Sequence, residues 1–137
     1  MGGENIAAIL ERAPWTADGR HTLLLQPMSR AEDLRRFLMD HGYAIRREAL
    51  VRDRGTIYPV MEAVKGEMKL SLGQLYGGAA LLQDPLGGQY IIEKIIRLQG
   101  AVAGLNRSGN REKGDGLRNI ITALLSLREE WRYAQSR

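Results

Sequence analysis

An α/β fold, with a partial sheet of about three strands followed by a C-terminal antiparallel helical hairpin, is what this 137-residue sequence predicts. Three observations lead there. The opening MGGENIAAIL sets Gly-Gly directly before a helix-spaced apolar stretch, as a chain does when it leaves a β-strand through a tight turn. Residues 21–42 read as strand, short loop and helix, the same unit with its strand present. Residues 85–137 carry two coiled-coil-like apolar seams separated by a polar, Gly-rich loop.

Taken in order, residues 4–12 form a helix with Ile6, Ile9 and Leu10 on one side. Glu4 sits near its N-terminus, where the helix dipole favours a carboxylate. Pro14 ends it, and Asp18-Gly19 turns the chain. His21 to Gln26 (HTLLLQ) is a short continuous apolar run closed by Pro27, which suits a strand covered on both faces, as in a parallel sheet. Ser29 is the expected N-cap of the next helix, with Glu32 completing a capping box and Leu34, Phe37 and Leu38 as the buried face. His41 beside Gly42 reads as a C-terminal cap. Residues 44–51 and 56–64 flank Arg52-Asp53-Arg54-Gly55 as an antiparallel hairpin. Pro59, inside the second run, has no N–H for a ladder and so demands a bulge or an edge position.

A link with a short helix at 71–83 leads to Asp84-Pro85, the expected start of a long helix. In it Ile91, Ile95, Leu98, Val102 and Leu105 recur at steps of four, three, four and three. NRSGNREKGDG is the loop, and the last helix carries Leu117, Ile120, Leu124, Leu127 and Trp131 at matching spacing. Neither helix is stable alone at this length, and their pairing buries about ten large side chains at roughly 1.5–3 kcal/mol each before entropy is subtracted. Ile92, Ile96, Ile121 and Leu125 widen the stripes and call for a third covering surface: the α/β part, another subunit or a ligand. Gly100 and Gly104 imply either close helix approach or a less regular helix. The expected organisation is 1–66, a linker over 67–84, and the hairpin over 85–137.

Composition narrows the function classes. A net charge of +4 and a pI near 9.7 are compatible with a polyanionic partner, although acids are interspersed and solvated helix faces account for most of the basic residues. The absence of Cys removes disulfides, thiolate metal sites and thiol nucleophiles, and fits a reducing cytoplasm. Apolar runs fall far short of the roughly 20 residues that cross a bilayer, and no signal-peptide pattern opens the chain, so no membrane partner is expected. HExxH, GxSxG and the P-loop are absent, and the adjacent acids Glu32-Asp33 and Glu129-Glu130 point to different helix faces. No metal site is expected.

The strand-end loops are the stronger candidates. In a doubly wound sheet, ligands sit where the carboxyl ends of strands meet helix N-termini, and Met1-Gly2-Gly3 and Gln26-Pro27-Met28 would occupy two such loops side by side. By spacing alone, QPM reads equally as a ligand loop or as a plain strand end in which Gln26 caps a carbonyl.

The run of MGGENIAAIL, then LLLQPM with AEDLRRFLMDHGY, then EALV with RGTIYPVMEAVKGE, a Gly-Gly near 77 and DPL before a helical hairpin resembles the C-terminal part of the bacterial tRNA (adenine-N1)-methyltransferases that act on position 22 of the D-arm. The resemblance is in order and covers nearly the whole chain, and LQPM with its downstream helix is the most specific element. It implies a class I, Rossmann-like, S-adenosylmethionine-dependent methyltransferase with a C-terminal coiled-coil domain that grips tRNA. The segment matching Met1-Gly2-Gly3 then follows the fourth strand, beside methyl donor and target base, and Gln26-Pro27-Met28 follows the fifth. Residues 44–64 are strands six and seven. Implied site residues are Gly2, Gly3, Gln26, Pro27 and Met28 at the catalytic pocket and Met1 and Gly2 at the cofactor. Lys94, Arg97, Arg107, Arg111, Lys113, Arg118, Arg128 and Arg132 are implied on tRNA phosphates. Gly77-Gly78 stands where members normally have Gly-Pro, and Pro59 has no counterpart.

The Gly-rich loop that cradles the donor in such enzymes, and the acid that holds its ribose, have no equivalent in these 137 residues. The sequence therefore reads as the C-terminal half of such an enzyme, inactive alone, with a sheet edge open to self-association or to the missing N-terminal half. The alternative is a non-enzymatic RNA- or protein-binding module built on the hairpin.

Overall fold

The structure, a computed structural model, describes residues 1–137. Its elements are α1 (Gly3–Glu11), a 3₁₀ turn (Pro14–Ala17), β1 (Thr22–Leu25), α2 (Ala31–Asp40), β2 (Tyr43–Asp53), β3 (Thr56–Lys65), α3 (Leu72–Gly77), α4 (Gly87–Arg107) and α5 (Arg111–Gln135). The three strands form one sheet in the order β1-β3-β2, antiparallel throughout.

Alternation decides which face of the sheet is buried. Ile57, Met61 and Ala63 of β3 and Tyr43 and Leu50 of β2 turn inward, where Leu10 of α1 and Ala31, Leu34 and Leu38 of α2 meet the sheet around Tyr43, Met61 and Ala63. The β2–β3 connection is a two-residue turn in which Arg54 and Gly55 both take left-handed backbone (φ 52° and 81°), the twist-matched solution for a tight hairpin. An extra residue, Arg46, bulges between the pairs at Ile45 and Arg47. Pro59 lies in the central strand yet still sits at an edge. It faces Leu50, whose N–H points away from β3 to the Asp84 carboxylate (2.9 Å), and β1 pairs only with residues 61–64, so no partner strand needs a proton from Pro59.

Several expectations are corrected. β1 is not sandwiched in a parallel sheet: it pairs antiparallel with β3, and Leu24 on its outer face is 75% exposed because no element of the chain covers that side. Ser29 does not cap α2. Arg30 occupies that position in left-handed backbone (φ 49°) without a side-chain cap bond, because the Ser29 carbonyl is turned to accept from Gly3 N–H (2.7 Å). The segment expected as a helix over 71–83 is helical only to Gly77, opened by a capping box between Ser71 and Gln74. Asp84-Pro85 form a turn, and α4 starts at Gly87, with Asp84 Oδ1 accepting from Leu86 N–H. The hairpin loop is shorter than its polar composition suggests, since Asn110 caps α5 through the Lys113 N–H and draws Arg111 to Gly116 into the helix.

The hairpin seam pairs as its spacing predicts from Ile91 to Leu98, while Val102 and Leu105, nearer the loop, are half-buried and lie outside the cluster. Ile91, Ile95, Ile120, Leu124 and Leu127 are buried together, with Leu98, Leu117, Ile121 and Trp131 against them. α3 covers part of the widened stripe: Tyr76 joins this cluster with Ile121, and a Cβ on Gly73 would lie 2.9 Å from the Ala123 carbonyl oxygen of α5, but Ile96 and Leu125 stay exposed, with no covering element over them. His41 caps α2 as expected, its N–H groups meeting the Leu38 and Phe37 carbonyls and its ring stacked on Phe37. Gly100 and Gly104 face open space, so neither close helix approach nor a break explains them. Gly73→Ala is expected to destabilise by roughly 1–3 kcal/mol through that clash. Gly100→Ala, free of any neighbour, is expected to stabilise by roughly 0.5–1 kcal/mol. Urea denaturation of the two variants checks the pair.

Candidate functional site

The two candidate loops do lie side by side, and backbone hydrogen bonds join them. Met28 N–H donates to the Met1 carbonyl (2.9 Å) and Gly3 N–H to the Ser29 carbonyl (2.7 Å). Glycine is required here by proximity, not by backbone angle. Gly2 has an extended φ of −74°, but a Cβ on Gly3 would overlap the Arg30 carbonyl oxygen, and one on Gly2 would lie 2.9 Å from Ser29 Oγ. Pro27 is fully buried beneath this junction, whereas Gln26 and the Met1 and Met28 side chains face outward.

Beside the junction runs a narrow cleft lined by Pro27, Met28 and Ser29, by Thr56 to Pro59 of β3, and by Tyr90, Glu93, Lys94 and Arg97 of α4. It encloses ≈ 40 Å³, room for water but not for a nucleobase. Lys94 Nζ lies 3.7 Å from Glu32 Oε1 and 5.2 Å above the Tyr90 ring. Of the eight basic residues expected on RNA, the structure thus brings Lys94 and Arg97 to the loop 27–29. Arg118, with Asp115 and Asn106, gathers with Arg111 near the hairpin tip, and Arg132 pairs with Glu129 (3.4 Å) at the opposite end. The other six lie along the hairpin and are not part of the cleft.

One feature of the joint between sheet and hairpin escaped the sequence reading. Arg35 and Glu48 form a fully buried ion pair (Nη2 to Oε2, 2.5 Å; side chains 0% and 1% exposed) at the joint between sheet and hairpin. Arg35 Nη1 also donates to the Leu75 carbonyl of α3 (2.8 Å), and Nη2 approaches the Tyr90 hydroxyl of α4 (3.4 Å). Burial works against the charge on Arg35, but the Glu48 carboxylate and then Tyr90 outweigh it and hold the guanidinium above its ordinary pKa. The signal was available: Ala31, Leu34, Arg35 and Leu38 make one helical stripe, so Arg35 occupies a core position. Nearby, burial pushes the Tyr76 phenol up, with Glu32 adding to the effect. No group of three or more His, Cys, Asp or Glu side chains comes together, and no helix is long and apolar enough to cross a membrane.

A family model for tRNA (adenine(22)-N(1))-methyltransferase matches residues 1–125. The chain belongs to this family. It is 34% identical over 94 residues to the tRNA (adenine(22)-N(1))-methyltransferase of Bacillus subtilis (strain 168), a match covering 69% of this chain and 38% of that protein. Among solved structures it resembles Sp1610 of Streptococcus pneumoniae (31% identity, TM-score 0.79, 93% of this chain and 58% of that one), which has also been solved in complex with S-adenosyl-L-methionine. A Streptococcus agalactiae protein of the NADB-Rossmann superfamily is similar too (26% identity, TM-score 0.78, 93% and 56%). The chain thus spans about 38–58% of these relatives' lengths, and the architecture of sheet and hairpin is a part of their Rossmann-like fold.

Fit to the family's methyl donor is one-sided. Gly2 and Gly3 are filled in by Glu4, Ser29 and Arg30 of the chain itself, so they form a wall and not a cradle. Gly3→Ala is expected to force the two loops apart, costing roughly 1–3 kcal/mol and accelerating hydrogen exchange at the Met28 and Gly3 amides; unchanged exchange would show that the junction does not depend on Gly3.

Proposed function

We propose that residues 1–137 supply the base-side wall and the RNA-gripping hairpin of an enzyme that methylates N1 of adenine 22 in the tRNA D-arm. Three functional units follow: 1–66 as the C-terminal part of the catalytic domain, 67–84 as a linker, and 85–137 as the tRNA-binding hairpin. The observation that carries this reading is the convergence, in a member of this family, of the Pro27–Ser29 loop with Lys94 and Arg97 of α4. S-adenosylmethionine supplies the methyl group when bound. Met1 and Gly2 would flank it, but no residue here replaces the Gly-rich loop or the ribose-binding acid, so the chain alone is inactive in methylation.

The roles of this chain's own residues follow from proximity. The joined loops 1–3 and 26–28 form a rigid wall against which an extracted adenine is held, since transfer needs its N1 in line with the donor at about 3–3.5 Å. The 40 Å³ cleft is too tight for that base, so the base lies outside it, on the side where Gln26 and Met28 are exposed. Arg97, Arg107, Arg111, Lys113 and Arg128, which make no ion pair in the chain, are the cations available to phosphates; Lys94, Arg118 and Arg132 must first give up Glu32, Asp115 and Glu129. A second reading, assembly through apolar contacts, draws on the exposure of Leu24 and Ile96 (75% and 61%). It is supported if sedimentation shows mass rising with concentration, and lost if the chain stays monomeric.

tRNA affinity is expected to fall steeply with salt. Arg97→Ala should lower the slope of log K against log salt by about 0.7–0.9, the value for one lost phosphate contact. Fluorescence anisotropy with labelled tRNA tests this; binding that ignores salt, or a slope unmoved in both Arg97→Ala and Arg107→Ala/Arg111→Ala/Lys113→Ala, removes the reading.

A further inference from the structure

We propose that the buried Arg35–Glu48 pair is a positioning device that fixes the angle at which the helical hairpin leaves the sheet, and so sets Lys94 and Arg97 in register with the Pro27–Ser29 loop. Its consequence for RNA rests on the function proposed above; its geometry does not.

A single guanidinium, on α2, reaches three other elements: the Glu48 carboxylate on β2, the Leu75 carbonyl near the end of α3, and the Tyr90 hydroxyl in the first turn of α4. Tyr90 is four residues before Lys94 and seven before Arg97, so it shares their side of α4 and lines the same cleft. The apolar contact at this joint is small, consisting of Leu50, Ile57, Leu81 and Tyr90 with Leu86 against them. Apolar packing is non-directional, and a patch of that size permits sliding; a planar guanidinium with its fixed donor fork does not.

Two further observations fit a geometric role better than a stabilising one. Arg35 Nε and Glu48 Oε1 are buried without a hydrogen-bond partner in the chain, so the pair is incompletely satisfied, the arrangement in which buried charges add little net stability over apolar residues of the same size. The linker is also drawn tightly over the carboxylate: Gly78, at φ 86°, passes so close that a Cβ there would lie 3.0 Å from Glu48 Oε2. On the far side, Asp84 accepts from Leu50 N–H of β2, while its carbonyl accepts from the Trp131 indole of α5 (2.7 Å). The hairpin root is thereby held at Arg35 and at Asp84, with the Lys94–Glu32 contact (3.7 Å) joining α4 to α2 one turn farther along, and rotation about the Asp84 contact is what the Arg35 contacts restrain.

The chain has no Cys, so nitroxide labels at Asp40→Cys on α2 and Ser108→Cys at the hairpin tip report the angle by pulsed electron–electron distance measurement. The parent chain should give one narrow distance. Arg35→Met/Glu48→Leu, which removes both charges together, should keep its urea midpoint, broaden the distance distribution and weaken tRNA binding by about tenfold or more, as expected when two binding patches lose their fixed spacing. Glu48→Gln should broaden the distance as well, and Arg35→Lys, which keeps the charge without the donor fork, should broaden it less. A narrow, unshifted distance in the double variant would overturn the proposal, as would loss of folding in both the double variant and Glu48→Gln, since the pair would then hold the fold and not an angle. The distance readout decides this even if the parent chain fails to bind tRNA, a result that would count only against the RNA reading.

Discussion

Two opposite charges buried where four elements meet are the constraint that sets how the parts of this structure are aimed at one another. Arg35 and Glu48 have no access to solvent, and removing either ion from water costs several kcal/mol before any attraction is counted. That cost can be offset only if α2, β2, α3 and the root of α4 come together in one arrangement, because the guanidinium needs Glu48, the Leu75 carbonyl and the Tyr90 hydroxyl at once. Three apolar clusters supply the bulk of the cohesion: one between α1, α2 and the sheet, one within the hairpin, and a small one at the joint. The ion pair sits beside the smallest of them, where direction matters most.

Backbone proximity is the second theme. Five close approaches run through glycine: Gly3 against Arg30, Gly73 against Ala123, Gly77 against Leu127, and Gly87 and Gly88 each against Trp131. The first joins the two loops proposed to wall the base, and the others seat α3 and the start of α4 on α5. Together with the segment that covers the outer edge of β2, where Ile45 N–H meets Met68 Sδ and Leu50 N–H meets Asp84, they connect the loop end of the sheet to the hairpin without a flexible gap.

Much of this was legible in the sequence. The strand–loop–helix unit at 21–42, the hairpin at 44–64, and the heptad-like seams of Ile91 to Leu98 and Leu117 to Trp131 follow from local periodicity, which the structure keeps, although the hairpin turn narrows from Arg52–Gly55 to Arg54-Gly55 and Val102 and Leu105 stay outside the buried cluster. The adjacency of Met1-Gly2-Gly3 and Gln26-Pro27-Met28 was legible from fold topology. What was not legible depends on contacts between distant residues. Ser29 looked like an N-cap, but its carbonyl is engaged by Gly3, 26 positions earlier, and Arg30 takes the cap position instead. Gly100 and Gly104 looked like sites of close approach or of an irregular helix, whereas α4 runs through both and the glycines that make close approaches to the hairpin are at 73, 77, 87 and 88. Arg35 drew no reading from the sequence, and only its place in the Ala31, Leu34, Leu38 stripe marked it as interior. The parallel reading of HTLLLQ failed because an apolar run does not record which strand will pair with it, and β3 pairs with it antiparallel.

The central claim is that this chain forms the base-side wall and RNA grip of a methyltransferase whose donor site is completed by other residues. It is tested most directly by mixing the purified chain with the donor-binding portion of a family member and following transfer of labelled methyl from S-adenosylmethionine to tRNA, with the modified base mapped by reverse transcription. The expected result is methylation at N1 of adenine 22 from the mixture and from neither component alone. Methylation by residues 1–137 unaided, or none from a mixture shown to form a complex, would contradict it.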